Sequence, residues 1–317
     1  MKKKSLFLLF FITSFLAFSQ EKITISNILI NGNKITKEGI ILRELSFNKK
    51  EIVNKNDLEI KIGKSRQNLI NLKLFNFVKI TPLIKGNNAD IIIDVIERWY
   101  FWPYPILEVS ERNFNSWWDD FKASNYSDFS RLNYGLFLNW ENFRGRNELI
   151  QFKIRKGFKE HYLFSYQVPY FDKKKRVGIN TNLQLFRRKK SFYKTEKNTL
   201  IYYTNNDSYS TKDYEFNTEI LYRKGVHKTH HLKYQYFLSN VDQEIINRNS
   251  KYLNNGYNTT GSYSKLTYQF TNENRDYVEY PLQGYYLHIE SAKYLNGTSP
   301  INHFEFIGKA EKHIEIK

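Results

Sequence analysis

Apolar and polar residues alternate with a period of two from about residue 99 to the end of the chain. In the segment 149–158, Ile150, Phe152 and Ile154 share one face of an extended strand, while Lys153 and Arg155 share the other. The same alternation predicts ten strands in this half of the chain. They are 99–110, 132–142, 146–158, 161–168, 176–186, 214–222, 231–240, 262–272, 284–294 and 303–316.

Charged residues on one face of these strands indicate what that face contacts. Unpaired lysine and arginine side chains inside a dry core would cost several kcal/mol or more. A water-filled lumen with an apolar outer face fits the pattern better and is typical of a transmembrane β-barrel. A soluble β-sandwich or a lipocalin-like barrel is the alternative interpretation.

The connections between the predicted strands differ in length. The connection at 157–160 is tight, whereas 111–131, 187–213 and 241–261 are long and polar. Short turns on one side and long loops on the other are expected of an outer-membrane barrel. The segment 199–203 is compatible with a further short strand or with part of a loop.

Residues 22–97 have a different pattern, which predicts a separate small domain. A strand at 23–30 ends in an Asn-Gly-Asn turn, and apolar residues then recur at helical spacing over 37–45 and 57–74. Two short strands, 78–84 and 89–97, follow. The order β-α-α-β-β predicts an α+β unit with its own core.

The first 19 residues have the pattern of a secretory signal peptide. Three lysines precede an apolar stretch at 6–18, and small residues at 17 and 19 predict cleavage between Ser19 and Gln20. An uncleaved anchor is the alternative. The chain has no cysteine, so an exported protein of this length lacks disulfides, which suits a bacterial envelope protein.

Composition agrees with a barrel in a membrane. Aromatic residues make up 17% of the chain, and aromatic girdles at the membrane interfaces consume such side chains. The mean hydropathy of -0.61 is compatible with strands that expose only every second residue to lipid. The net charge of +17 would suit nucleic acid, but export makes that partner unexpected. Anionic headgroups of outer-membrane lipid and lipopolysaccharide, or an electropositive lumen, fit the charge better.

Several segments resemble those of one protein family. "ILINGNKITKEGIILREL", "LINLKLFNFVKI" and "DIIIDVIER" are similar to a POTRA domain, the periplasmic module of the Omp85 superfamily. "ENFRGRNELIQFKIRKGF", "YQVPYFDKKKRVGI" and "NENRDYVEYPLQGYYLHIE" are similar to hairpins of the Omp85 barrel. The chain thus resembles the BamA/TamA-like, D15-like surface antigens, with a single POTRA domain at 22–97 and barrel strands at 99–317.

The resemblance implies a function and a location. It implies an outer-membrane assembly factor whose periplasmic POTRA domain binds unfolded, β-rich outer-membrane proteins by strand addition. Accessory periplasmic lipoproteins are further implied partners. An exporter of one secreted or surface partner is the alternative, a passive structural barrel is another, and a spacer role for the POTRA domain also stays open.

The chain departs from the family pattern in its strand number. The resemblance implies sixteen barrel strands, whereas the alternation predicts ten. The family's Arg-Gly-aromatic loop motif has no counterpart, because Arg144-Gly145 lies in an early turn. The final residues, "KHIEIK", lack a terminal aromatic residue. We therefore expect a truncated barrel, and an incomplete sheet would leave unpaired backbone groups in lipid.

Candidate catalytic and metal-binding residues are few. His230 and His231 are adjacent, so they point to opposite faces of a strand and do not share a metal. A barrel phospholipase would need a serine beside a histidine, but His288 and Ser291 also face opposite sides. No nucleophile elbow, P-loop or dinucleotide motif occurs. We expect no catalytic, metal-binding or cofactor-binding residues, and hence no enzyme.

The stretch "RDYVEYPLQGYY" has carboxylates near a proline and a glycine. It predicts two strands joined by a reversal at Pro281 to Gly284 rather than an acidic site. Arg275 and Asp276 are then expected to hold the end of a strand as an ion pair.

Overall fold

A computed structural model describes residues 22–110, 113–253, 256–295, 297–298 and 302–315. The predicted signal peptide and its cleavage site at Ser19 and Gln20 lie outside these residues. The chain forms two compact units, of which the first contains residues 22–34 and 41–97 and the second 35–40 and 98–317. Among the described residues, none of the helices combines the length and apolar character needed to cross a membrane.

The first unit contains a four-stranded mixed sheet. Its strands are β1 (Lys22–Asn31), β2 (Ile52–Asn54), β3 (Phe75–Lys85) and β4 (Asn88–Glu97), in the order β2-β1-β4-β3. β1 and β4 are parallel, and the other two pairs are antiparallel. The helices in this part of the chain are α1 (Glu38–Arg43) and α2 (Lys55–Asn71). The predicted α+β order is confirmed, with β2 as an additional short strand.

A small apolar core stabilises the first unit. Ile25 of β1, Leu58 and Leu69 of α2, and Ile91 and Ile93 of β4 are at most 1% exposed. Leu58 and Leu69 are eleven residues apart, which is close to three turns of an α-helix and places both on the face toward the sheet. Each such side chain contributes about 1.5–3 kcal/mol when it is fully buried.

The described part of the second unit contains a ten-stranded antiparallel sheet. Its strands match the ten predicted ones, with ends shifted by a few residues. They are β5 (Phe101–Val109), β6 (Leu132–Phe143), β7 (Glu148–Gly157), β8 (Lys159–Val168), β9 (Val177–Arg188), β12 (Thr211–Lys224), β13 (Lys228–Val241), β14 (Thr260–Glu273), β15 (Gly284–Leu295) and β16 (Phe304–His313). β10 (Lys190–Glu196) and β11 (Thr199–Thr204) form a separate hairpin.

Long and short connections of the sheet lie at opposite ends. The long connections 110–131, 189–210 and 242–259 follow β5, β9 and β13, which run in the same direction. The shorter turns after β6, β8 and β12 lie at the other end. The tight turn between β7 and β8 is the exception, since it lies at the end of the long connections.

The long connections contain structure that the polar sequence did not reveal. Asp119 and Asp120, expected in a loop, lie on helix α3 (Phe114–Ala123), where Asn113 caps the first turn by accepting a hydrogen bond from Ser116 N at 2.8 Å. A second helix, α4 (Gln243–Arg248), lies between β13 and β14. The segment 199–203, left open above, forms most of β11.

The turn between β14 and β15 has the predicted position. Arg275 Nη2 and Nη1 contact Glu273 at 2.5 Å and Glu311 at 2.9 Å. Asp276 Oδ1 accepts hydrogen bonds from the backbone N–H groups of Leu282 and Gln283 at 3.0 and 3.2 Å. The two residues hold the strand end as predicted, Arg275 through Glu273, two residues before it, and through Glu311, and Asp276 through backbone N–H groups of the turn.

Candidate strand-addition edges

The sheet of the first unit has two edges of unequal length. β2 forms one edge with three residues, and β3 forms the other with eleven. Short edge strands offer little backbone for pairing, whereas a long edge strand presents a row of N–H and C=O groups to another strand. β3 is therefore the better candidate for strand addition.

Alternate residues of β3 direct their backbone groups away from β4. Lys85 pairs with Asn88 across a two-residue turn, so the odd-numbered residues of β3 bond to β4. The free side then carries the even-numbered residues Val78, Ile80, Pro82 and Ile84. The carbonyl of Val78 accepts a hydrogen bond from Arg66 Nε at 3.1 Å, and Pro82 has no N–H. Ile80 and Ile84 keep both a donor and an acceptor on this side.

Exposed apolar side chains accompany the open backbone of β3. Phe77 and Leu83 are each 47% exposed and Ile84 is 43% exposed. Lys79 and Lys85 are exposed among them. Lysines on an edge strand oppose non-specific pairing, while apolar neighbours offer contacts to an extended client. The sequence alone did not identify these side chains of β3, because it does not reveal which strand lies at the edge of the sheet.

The other edge begins at an ion pair. Lys61 of α2 binds the Glu51 carboxylate, which also accepts a hydrogen bond from Asn48 N at 2.8 Å. The hydrogen bond from Lys61 lowers the pKa of Glu51 despite partial burial. Glu51 O also accepts a hydrogen bond from Ile25 N at 2.9 Å. These contacts hold the chain at the start of β2.

The large sheet of the second unit has one apolar and one polar face. Adjacent strands bring Phe152, Phe164 and Leu183 to the same face, where they are 41%, 44% and 48% exposed. Ile220 and Leu232 continue this face on β12 and β13, with 53% and 47% exposed. A row of exposed apolar side chains across many strands is the surface that lipid requires.

Polar side chains on the opposite face pair across the strands. Lys153 and Arg155 lie on it, as predicted. Gln269 Nε2 donates to Glu290 Oε2 at 2.7 Å, and Gln151 Nε2 donates to Asn139 Oδ1 at 2.9 Å. Its ion pairs include Arg155–Glu108 at 2.9 Å and Lys265–Glu305 at 2.6 Å. Pairing of this kind lowers the cost of holding charges on a partly buried face.

A polar cavity of about 250 Å³ lies against this face between β9, β12 and β13. It is lined by amide and charged side chains, among them Asn180, Asn182, Asn217, Glu219 and Lys233. His231 Nδ1 contacts the carboxylate of Glu219 beside it. The lining offers hydrogen bonds to water or to a polar chain.

The histidines and serine weighed as catalytic candidates lie apart. His288 hydrogen-bonds Thr271 Oγ1 at 3.0 Å, while Ser291 pairs with Tyr268 on the opposite face. His230 contacts Tyr268 Oη at 2.8 Å, and His231 contacts Glu219, so these two also face opposite sides. In the described residues, no three histidine, aspartate or glutamate side chains are grouped to hold a metal ion.

Comparisons with known proteins agree with this architecture. The Omp85 superfamily domain matches residues 142–317, and the POTRA family, described as a surface antigen variable number repeat, matches residues 23–98. No curated protein matches the chain.

Solved structures similar to this chain include one BamA and two CdiB proteins. BamA from Haemophilus ducreyi lacking POTRA domains 1-3 has a TM-score of 0.48 and 15% identity, over 87% of this chain and 49% of that one. CdiB from Acinetobacter baumannii has a TM-score of 0.40 and 12% identity, over 87% and 46%. CdiB from Escherichia coli has a TM-score of 0.32 and 8% identity, over 91% and 60%. The chain spans about half the length of the first two.

Family membership follows from the Omp85 match, which covers more than half of the chain. Proteins of this family are outer-membrane β-barrels with periplasmic POTRA domains. The chain belongs to the Omp85 superfamily, with one POTRA domain followed by an antiparallel sheet of the barrel type.

Proposed function

We propose that this protein assists the assembly of outer-membrane proteins, with its POTRA domain in the periplasm and its large sheet in the outer membrane. The free side of β3 carries the proposal, because Ile80 and Ile84 present unused backbone donors and acceptors beside exposed apolar side chains. A β-rich client in extended form would add to this edge through main-chain hydrogen bonds, with little demand on its sequence.

The two faces of the large sheet support the membrane location. The apolar face contacts lipid, and the polar face with its paired charges lines a wet interior. Insertion of a client would be helped by pairing with a strand edge and by local thinning of the bilayer. Neither process needs a catalytic residue, a cofactor or a nucleotide, and we propose that the protein is not an enzyme.

Export of a dedicated secreted or surface partner is the second candidate. The polar face favours it, because Asn180, Asn182, Gln184 and Gln235 offer hydrogen bonds to a passing chain without binding one sequence. In this case the β3 edge would hold the partner before its transfer.

Depletion of the full-length protein separates the two candidates. Assembly predicts that folded outer-membrane proteins as a group decrease, and that Ile84→Ala restores them while Ile84→Pro, which removes the edge N–H, does not. Export predicts that their levels stay constant while one secreted protein accumulates inside the cell. Unchanged levels of folded outer-membrane proteins would contradict the assembly proposal.

A further inference from the structure

The apolar face of the large sheet changes in character toward the end that has the short turns. In its middle, Ile179, Ile220 and Leu232 lie side by side on β9, β12 and β13. Two residues closer to the turn, Tyr222 and His230 pair across β12 and β13, with ring centroids 6.1 Å apart. An aliphatic row thus gives way to rings that carry polar atoms, which is the side-chain type favoured at a membrane–water interface.

The next row on the same two strands is basic. Lys224 pairs with Lys228, each of them two residues beyond the rings of Tyr222 and His230. Side chains two residues apart on a strand share a face, so both lysines continue the apolar face toward the turn. Both side chains are exposed. The order aliphatic, aromatic, basic matches the order of hydrocarbon, interface and headgroups in a bilayer leaflet.

The neighbouring turn adds further positive charge. Lys173 and Lys174 lie in the turn between β8 and β9, and both are exposed. This turn lies beside the lysine pair of β12 and β13, because Arg223 N donates to Arg176 O at 2.7 Å. Like charges directly opposite each other in an antiparallel pair are destabilising. An anion bound at this basic row, formed by residues 173, 174, 224 and 228, would relieve the repulsion.

Cations at the opposite end of β9 are neutralised within the protein. Arg188 Nη2 lies 2.9 Å from Asp213 Oδ2, and Arg187 Nη1 lies 3.7 Å from Glu160 Oε2. Within the described part of the chain, the four lysines of the basic row have no carboxylate partner of this kind. The short-turn end therefore offers its charge to a partner outside the chain.

We propose that the basic row binds the headgroups of anionic phospholipids in the leaflet that covers the short-turn end of the apolar face. The phosphodiester of such a lipid supplies the anion for Lys224 and Lys228, and its acyl chains lie along Tyr222 and Ile220. Short turns of outer-membrane barrels face the periplasm, so this leaflet is the periplasmic one. The inference rests on the proposed membrane location of the large sheet and applies to assembly and export alike.

Quenching by spin-labelled lipid tests the proposal, because the chain contains no cysteine and one bimane fluorophore can be attached at a chosen position. Phe171→Cys places it in the turn that carries Lys173 and Lys174, where the side chain is 59% exposed. The full chain is inserted into phosphatidylcholine vesicles that contain an equal small fraction of either spin-labelled phosphatidylglycerol or spin-labelled phosphatidylcholine. We expect phosphatidylglycerol to associate with this turn at least about fivefold more strongly, the factor that one lysine near an anionic surface provides.

Two pairs of lysine variants separate a local site from a general attraction to positive charge. Lys224→Gln with Lys228→Gln should remove most of the preference for phosphatidylglycerol. Lys153→Gln with Lys233→Gln makes the same charge change on the polar face and should leave the preference unchanged. An equal loss in both double variants would overturn the proposal. Equal quenching by the two lipids in the original protein would overturn it too, and is expected if the basic row binds an acidic protein instead.

A second fluorophore position distinguishes failure of this proposal from failure of the membrane location. Leu183→Cys places the bimane on the apolar face, on a side chain that is 48% exposed and pairs with Phe216 of β12. Both lipids should quench it to the same extent. Quenching at this position without a preference at Phe171→Cys would overturn lipid binding by the basic row alone. No quenching at Leu183→Cys by either lipid would contradict the membrane location and the proposal with it.

Discussion

Arg275 Nη1 lies 2.9 Å from Glu311 Oε2, a contact that ties the turn after β14 to β16. The Nε of the same guanidinium donates a hydrogen bond to Glu273 Oε1 at 2.8 Å. Arg275 therefore joins carboxylates from two strands. The Arg275 side chain is 13% exposed. This arrangement makes Arg275 a structural residue at the end of three neighbouring strands rather than part of an acidic site.

Replacing Arg275 should destabilise the large sheet. Arg275→Gln removes charge-assisted hydrogen bonds to two carboxylates, and we expect the free energy of unfolding to fall by about 1.5–3 kcal/mol. Lys309→Gln is a matched control, because Lys309 contacts the same Glu311 but is 60% exposed. Its cost should be clearly smaller than that of Arg275→Gln, because solvent screens an exposed pair. Urea unfolding in detergent micelles measures both, and equal costs would contradict the assignment.

Glu148 should be a second anchor, at the turn between β6 and β7. Its side chain is fully buried and accepts hydrogen bonds from Arg144 Nε and Nη2, each at 2.9 Å. Glu148→Gln should lower the free energy of unfolding by about 1.5–3 kcal/mol, because a neutral amide accepts these bonds less strongly. Glu244→Gln in α4 breaks an exposed pair with Arg248 of the same spacing and should have a much smaller effect on the free energy of unfolding. A similar loss for both variants would refute the role of burial.

The apolar face should tolerate no charge in a bilayer. Leu232 lies on that face beside Lys233, which lies on the polar one. Leu232→Lys should cost about 2–4 kcal/mol in lipid vesicles if the residue lies near the midplane, whereas Gln235→Lys on the polar face should cost less than about 1 kcal/mol. Unfolding of the vesicle-inserted protein by guanidinium measures the difference. Equal costs would show that this face does not contact lipid.

The stability of the β2 edge should depend on pH through Glu51. The hydrogen bond from Lys61 lowers the pKa of Glu51 in the folded state. The Glu51–Lys61 pair therefore stabilises the fold fully above the pKa that Glu51 has in the unfolded chain, and this stabilisation is lost as the pH falls through the lower pKa of the folded state. The Lys61 and Glu51 side chains are 30% and 27% exposed, and the pair contributes about 1 kcal/mol or less. Hydrogen-exchange mass spectrometry of residues 44–72 measures this effect. The protection factors of the original protein should exceed those of Glu51→Gln at neutral pH, and the difference should disappear in acid. A ratio of protection factors that stays constant with pH would contradict the linkage.

The strands of the large sheet were predictable because one face is apolar and the other is polar. Residues such as Phe152 and Lys153 then alternate strictly, and alternation is the strongest signal for a strand. The hairpin β10–β11 was harder to predict. Its turn uses Lys197 and Asn198 with φ of 49° and 60°, in place of the Asn-Gly pair that marks such turns most clearly.

The candidate site was predictable only in kind. The β-α-α-β-β pattern implied a sheet with edges, but the edge strand follows from the order β2-β1-β4-β3, in which β1 and β4 pair across more than 60 residues. The helix α3 was missed because contacts among its own rings and with the segment that follows stabilise it. Trp117 and Phe121, four residues apart on the helix, stack with centroids 5.0 Å apart, and the Phe121 ring also contacts Phe129 with centroids 5.0 Å apart.

Site-specific photo-cross-linking at Ile84 tests the central claim most directly. A photoreactive side chain at Ile84 lies on the free side of β3. The same group at Ile92, half-buried on the inner strand β4, lies where β1 and β3 pair with the backbone on both sides. We predict that nascent outer-membrane proteins cross-link to Ile84 in living cells and much less to Ile92. Equal cross-linking at both positions, or none at Ile84, would contradict strand addition at the β3 edge.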